Sequence, residues 1–89
     1  MDNCYLCGRP ATDTHHIFNG PMRTKSEEYG AVIRVCRECH DYIHKKADFR
    51  LLLKKNFQAQ IMFEKGWSVD DFRQEFHKSY LMGDDNDVD

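Results

Sequence analysis

Apolar side chains recur with two different rhythms along this chain, and the change between them divides it. From Asp48 to Glu64 they fall every fourth residue, at Phe49, Leu53, Phe57 and Ile61, the spacing of one buried helix face. Asp48 is placed to cap the start of that helix, and Gly66 to end it. A second face, Val69, Phe72, Phe76 and Tyr80, follows Ser68, which makes a capping-box pair with Asp71. It predicts a helix over about 69–81. Together the two read as a helical hairpin, its apolar faces packed on each other or on the first half of the chain.

That first half is shorter in its patterns and richer in chemistry. Ala31-Val32-Ile33-Arg34-Val35 is a β-branched run that predicts a strand, and Asn19-Gly20-Pro21 marks a turn or loop. His40 to Lys46 holds no breaker and predicts a helical turn or two. Cys4-Tyr5-Leu6-Cys7-Gly8 has the form of a metal knuckle, a tight turn presenting two sulfurs to one ion, with Gly8 able to take a positive φ. No repeat and no linker interrupts residues 1–82. The expectation is one small α+β domain: a metal-stabilised module over about 1–46, helices at about 48–64 and 69–81, then an acidic, disordered tail at 83–89.

Composition sharpens this picture. At 89 residues, 40% of them hydrophobic and 31% charged, the core is small and needs a metal, bridges or a partner to hold firmly. No apolar run approaches the roughly 20 residues of a membrane span. Met1-Asp2-Asn3-Cys4 lacks the basic start and apolar stretch of a signal peptide, so the cytoplasm is the expected location. Disulfides are rare there, and the four cysteines read as metal ligands. Cys4-x2-Cys7 and Cys36-x2-Cys39 make two matched pairs with 28 residues between them, a set that suits tetrahedral zinc. Four thiolates leave no position for water, so this zinc would build the fold and not catalyse. The competing readings are unrelated buried thiols, or Cys4 and Cys7 as a redox exchange pair.

The formal charge of −2 is unevenly spread: Asp84, Asp85, Asp87 and Asp89 supply four of the 15 acidic residues, and without them 13 basic residues face 11 acidic ones. Overall charge therefore neither favours nor excludes a nucleic-acid partner.

The histidines are the second chemical signal. His15 and His16 lie between the knuckles, His40 follows the last cysteine, and His44 comes one helical turn later. Helical residues four apart share a face, so His40 and His44 can grip one ion, with His15 as a third ligand. On an extended backbone His16 points away from His15 and stays free to move a proton. His77 reads as an exposed or supporting residue.

Cys4-x2-Cys7, Thr14-His15-His16-Ile17, Val35-Cys36-x2-Cys39-His40 and then x3-His44 resemble the HNH (ββα-metal) endonucleases with a cysteine zinc frame, in particular small prophage-encoded ones. The likeness spans about residues 3 to 82. It implies a zinc-stabilised ββα-metal module followed by a helical hairpin, His16 as general base, and His15 and His40 as ligands of a catalytic divalent metal. His44 would be a further ligand or phosphate contact. The middle Asn of the motif is missing; its place, about five residues before the third cysteine, holds Gly30-Ala31, so its bracing role is lost or passes to the backbone.

In such an enzyme His16, its other nitrogen held by a backbone carbonyl, would take a proton from water. Mg²⁺, Mn²⁺, Ni²⁺ or Zn²⁺ would stabilise the phosphate, and the products would be 5′-phosphate and 3′-hydroxyl ends. This scheme uses no carboxylate. Double-stranded or branched DNA is the expected partner, in the host cytoplasm for a prophage protein. Arg23, Lys25, Lys45 and Lys46 are candidate phosphate contacts, with plain solvated charges as the bland account of each. The main rival is a non-catalytic zinc module that binds nucleic acid or protein. Phe57, Phe63, Trp67, Phe72 and Phe76 are many aromatics for one small core, which leaves room for a homodimer or a phage protein partner; an intramolecular core is the simpler account.

Overall fold

The computed structural model describes residues 2–81, so the acidic tail expected at 83–89 lies outside the described residues. The β-branched run forms β2 (Val32–Val35), which pairs antiparallel with β1 (Asp13–His16) in the register Asp13 to Val35, Thr14 to Arg34, His15 to Ile33 and His16 to Val32. The segment joining them is not a plain loop. After Phe18 it turns at Gly20–Met22, a single 3-10 turn with Pro21 near its start, and continues as the short helix α1 (Arg23–Glu28). From β2 the chain passes through Cys36 into α2 (Arg37–Lys45), and then into α3 (Ala47–Lys65) and α4 (Val69–Phe76). The described residues form a small α+β fold with one two-stranded sheet and four helices.

Both long helices differ at one end from the sequence expectation. Helix α3 starts at Ala47 with Lys46 extended before it, so Asp48 is not the cap. It lies within the first turn, where its negative charge meets the positive end of the helix dipole. Gly66, at φ 67°, closes the helix as expected. Helix α4 begins with the Ser68–Asp71 capping box in full, but ends at Phe76 and not near 81, because His77 takes a left-handed conformation at φ 70°. Gln58 gives the reason. Fully buried on α3, it donates to the Ser79 hydroxyl at 2.9 Å and accepts the Tyr80 N–H at 2.7 Å. A buried amide requires such partners, and meeting them folds residues 79–80 back toward α3.

The core lies between the sheet, the joining segment and helices α2, α3 and α4: Ile17, Phe18, Ile33, Val35, Ile43, Leu53, Ile61, Phe72 and Phe76 are all buried. Phe18 anchors its aromatic part, with ring centroids 4.8 Å from Phe76, 5.8 Å from Phe72 and 5.5 Å from Tyr80. Helix α4 therefore packs on the cysteine–histidine half as well as on α3. Lys25 donates to Glu75 at 2.6 Å and the Tyr29 hydroxyl to the same carboxylate at 3.2 Å, tying α1 to α4. Of the aromatics that looked surplus, Phe72 and Phe76 are buried, Phe57 and Trp67 pack against the core, and Phe63 is 88% exposed. Among the described residues no helix is long and apolar enough to cross a membrane.

Candidate metal centre

Two separate donor clusters stand on this frame. In the first, the sulfurs of Cys4, Cys7, Cys36 and Cys39 all lie within 4.8 Å of one another. Zinc–sulfur bonds of about 2.3 Å in a tetrahedron put neighbouring sulfurs about 3.8 Å apart. The Cys7 and Cys36 sulfurs are 3.7 Å apart. The first knuckle is closed by the Gly8 N–H donating to the Cys4 carbonyl at 3.0 Å, with Gly8 at φ 83°.

The charges of these thiols point the same way. Burial alone would raise the Cys4 thiol, but hydrogen bonds from the backbone of Cys36, Cys7 and Leu6 outweigh it and hold it at about 6. Cys7 is lowered by the Arg9 side chain, whose Nε donates to its sulfur at 3.4 Å. Cys39 is pushed up to about 12 by burial and by the other three sulfurs. Four thiolates so close repel one another unless a cation joins them. The quartet fits a structural metal such as zinc.

The second cluster lies where β1 meets α2. His15 is buried on β1, and one ring nitrogen from each of His15, His40 and His44 falls within 4.8 Å of the others. The His40 and His44 Nε2 atoms are 3.2 Å apart. Nitrogens sharing a tetrahedral ion at about 2.0–2.1 Å would be about 3.3 Å apart, so the pair suits one cation. Burial, then the neighbouring charges of His40 and His44, pushes the His15 imidazole down to about 4. At neutral pH the ring is therefore uncharged, with a lone pair it could offer to a cation.

The cleft beside these rings has a volume of about 220 Å³ and is lined by Thr14, His16, Asn19, Gly20 and Arg23 as well as the three histidines. No protein-family model, curated protein or solved structure matches this chain. The case for a site therefore rests on its own geometry. His16, the neighbour of His15 on β1, bonds through Nε2 to the Glu27 carboxylate at 2.7 Å. That partner replaces the backbone carbonyl expected for it.

Of the basic candidates, the cleft takes in Arg23 alone. Lys25 is bonded to Glu75, which compensates its charge in place. Lys45 and Lys46 are exposed next to His44 on the chain but do not line the cleft. His77 is exposed at the end of α4, away from both clusters.

Three residues near the site escaped the sequence reading. Asp13 accepts from the His40 Nδ1–H at 2.9 Å and from Arg37 Nε at 3.0 Å, so a carboxylate does belong to the histidine cluster. The bond from His40, helped by Thr12 and Arg37, holds the Asp13 carboxyl at about 2 against the raising effect of its burial. A sequence signal existed: Asp13 is two residues before His15 on a strand, hence on the same face. Glu27 gave none, since α1 was unforeseen.

Nor did Ser26, which is fully buried. Its hydroxyl donates to the Phe18 carbonyl at 2.7 Å and accepts the Phe18 N–H at 2.8 Å, while its own carbonyl accepts from Ala31 at 2.7 Å. Together these bonds pin both ends of the segment that carries Glu27. Ser26 on α1 thus braces the segment between the two strands.

Proposed function

We propose that this protein is a metal-dependent endonuclease of the HNH (ββα-metal) kind, hydrolysing or nicking DNA. One observation carries the reading: three imidazoles from β1 and α2 converge on a cleft that also holds His16 and Arg23. The antiparallel pair β1–β2 running through a cysteine knuckle into α2 supports it, as does the resemblance of the Thr14-His15-His16-Ile17 and Cys36-x2-Cys39-His40 segments.

A divalent cation held by His15, His40 and His44 would supply Lewis-acid stabilisation of the scissile phosphate and the leaving 3′ oxygen. The all-nitrogen set favours Ni²⁺, Co²⁺ or Zn²⁺ by affinity, with Mn²⁺ and Mg²⁺ weaker. The chain's own residues do the rest. With Nε2–H donated to Glu27, His16 keeps its lone pair on Nδ1, the atom that takes a proton from the attacking water. Glu27 holds that tautomer and stabilises the ring once it is protonated, the part a carboxylate plays beside any histidine base. Arg23 offers a fixed positive charge to a phosphate oxygen entering the cleft. Arg23 would meet the phosphate backbone and not base edges, so weak sequence preference is expected.

The test is plasmid nicking with Ni²⁺, Mn²⁺ or Mg²⁺ supplied in turn. Cleavage by the wild type should fall at least about 100-fold in His16→Ala, since a positioned general base contributes about 10²–10⁴-fold. Zinc content and thermal melting should stay unchanged. Undiminished cleavage removes His16 as the base. A wild type that binds DNA without cutting it leaves the non-catalytic zinc module as the function.

A further inference from the structure

His40 has two ring nitrogens and the fold treats them differently. Nε2 faces His44 at 3.2 Å inside the metal cluster, while Nδ1 faces Asp13 Oδ2 at 2.9 Å. An ionised carboxylate can only accept, so Nδ1 carries a hydrogen, and in the neutral ring Nε2 then keeps a lone pair directed at the cluster. Free histidine in water exchanges between its two neutral tautomers, and only one of them can bind a cation through Nε2. A contact that fixes the tautomer also fixes the ring plane, removing both freedoms before any ion arrives.

We infer that Asp13 is a positioning residue of the histidine metal site, selecting the Nδ1–H form of His40 and aiming its Nε2 at the cation. Three further observations support this. Asp13 is itself held in place, its Oδ1 accepting from Thr12 Oγ1 at 3.0 Å while Oδ2 faces His40. Its side chain is only 14% exposed, so water competes weakly for the acceptor. And β1 delivers Asp13 and His15 on one face, so the strand that presents one ligand also orients another contributed by α2. Thr12 and Arg37 complete the polar groups bonded to the carboxylate; Arg37 is 81% exposed and its charge is largely screened. The inference rests on the reading of His15, His40 and His44 as a metal site.

The experiment keeps the cysteine-bound zinc in place and labels the protein with ¹⁵N. Long-range correlation spectra of the histidine rings in the protein without added cation should show His40 in the Nδ1–H tautomer. Ni²⁺ is then titrated by calorimetry into the wild type, Asp13→Ala and Arg37→Ala. Loss of an orienting partner of this kind costs about 10–100-fold in metal affinity, and Asp13→Ala should lose that much and show mixed His40 tautomers. Arg37→Ala, which leaves the Asp13–His40 bond intact, should bind Ni²⁺ within about threefold of the wild type.

An Nε2–H tautomer for His40 in the wild type overturns the inference without any variant, and so does an Asp13→Ala protein with unchanged Ni²⁺ affinity. A wild type with the expected tautomer that takes up no Ni²⁺ at the histidines overturns the metal reading itself, and the role of Asp13 with it. The two failures are told apart by whether the unmutated protein binds the cation.

Discussion

Single residues decide whether this fold can hold its chemistry in place. Ser26 is the clearest case: one buried hydroxyl both donates to and accepts from the Phe18 backbone and so pins the segment that ends in Glu27. Replacing it with Ala strands the Phe18 N–H and carbonyl in a dry interior. The expected cost is about 1–3 kcal/mol, measured as a lowered urea midpoint. A variant as stable as the wild type would show that water replaces the hydroxyl. Residue types alone marked the side chains that the fold gathers into two donor clusters, because cysteine and histidine carry their chemistry in their names. Partners such as Asp13, Glu27 and Ser26 were hidden: a serine or a carboxylate in a polar stretch looks the same whether it braces a site or faces solvent.

At the scale of elements, periodicity located the long helices and β2, where a face of regularly spaced apolar residues meets the core. It failed where tertiary contacts override local preference. Helix α4 was expected to run on to Tyr80, whose spacing does fit; yet Tyr80 reaches the same aromatic cluster from a folded-back segment held by Gln58. Helix α1 is too short and too polar to leave a pattern, since its buried side chain is the small Ser26. The aromatic contact between α4 and Phe18 makes a second prediction. Phe72→Ala should destabilise the protein by about 3–5 kcal/mol in denaturant unfolding, because Phe72 is fully buried against Phe18 and Phe76. Phe63→Ala, on the open side of α3, should stay within about 0.5 kcal/mol. Equal effects would mean that Phe63 is covered in solution, as it would be in a dimer.

For the molecule as a whole, the cysteine quartet ties residues near the start of the chain to the turn between β2 and α2, closing the longest loop of the first half. With an ion bound to the quartet, so small a core would gain much of its firmness from that closure. A strong chelator at neutral pH should abolish the cooperative thermal transition, and restored zinc should bring it back. A chelated protein that melts as before would exclude a structural ion. The proposed function divides the work between the two clusters. Four sulfurs around one ion would leave no open coordination position and would only hold, whereas three imidazoles would leave room for a phosphate.

Strand β1 places Asp13 and His15 on one side and His16 on the other, in four consecutive residues paired to a single neighbour. Because sidedness alternates strictly, sliding this strand by a single position would exchange His16 with His15 and turn the Asp13 carboxylate outward. One residue inserted or deleted between Cys7 and Asp13 thus threatens the site more than most substitutions do. Changes in length there have to be absorbed within the knuckle turn or come in pairs.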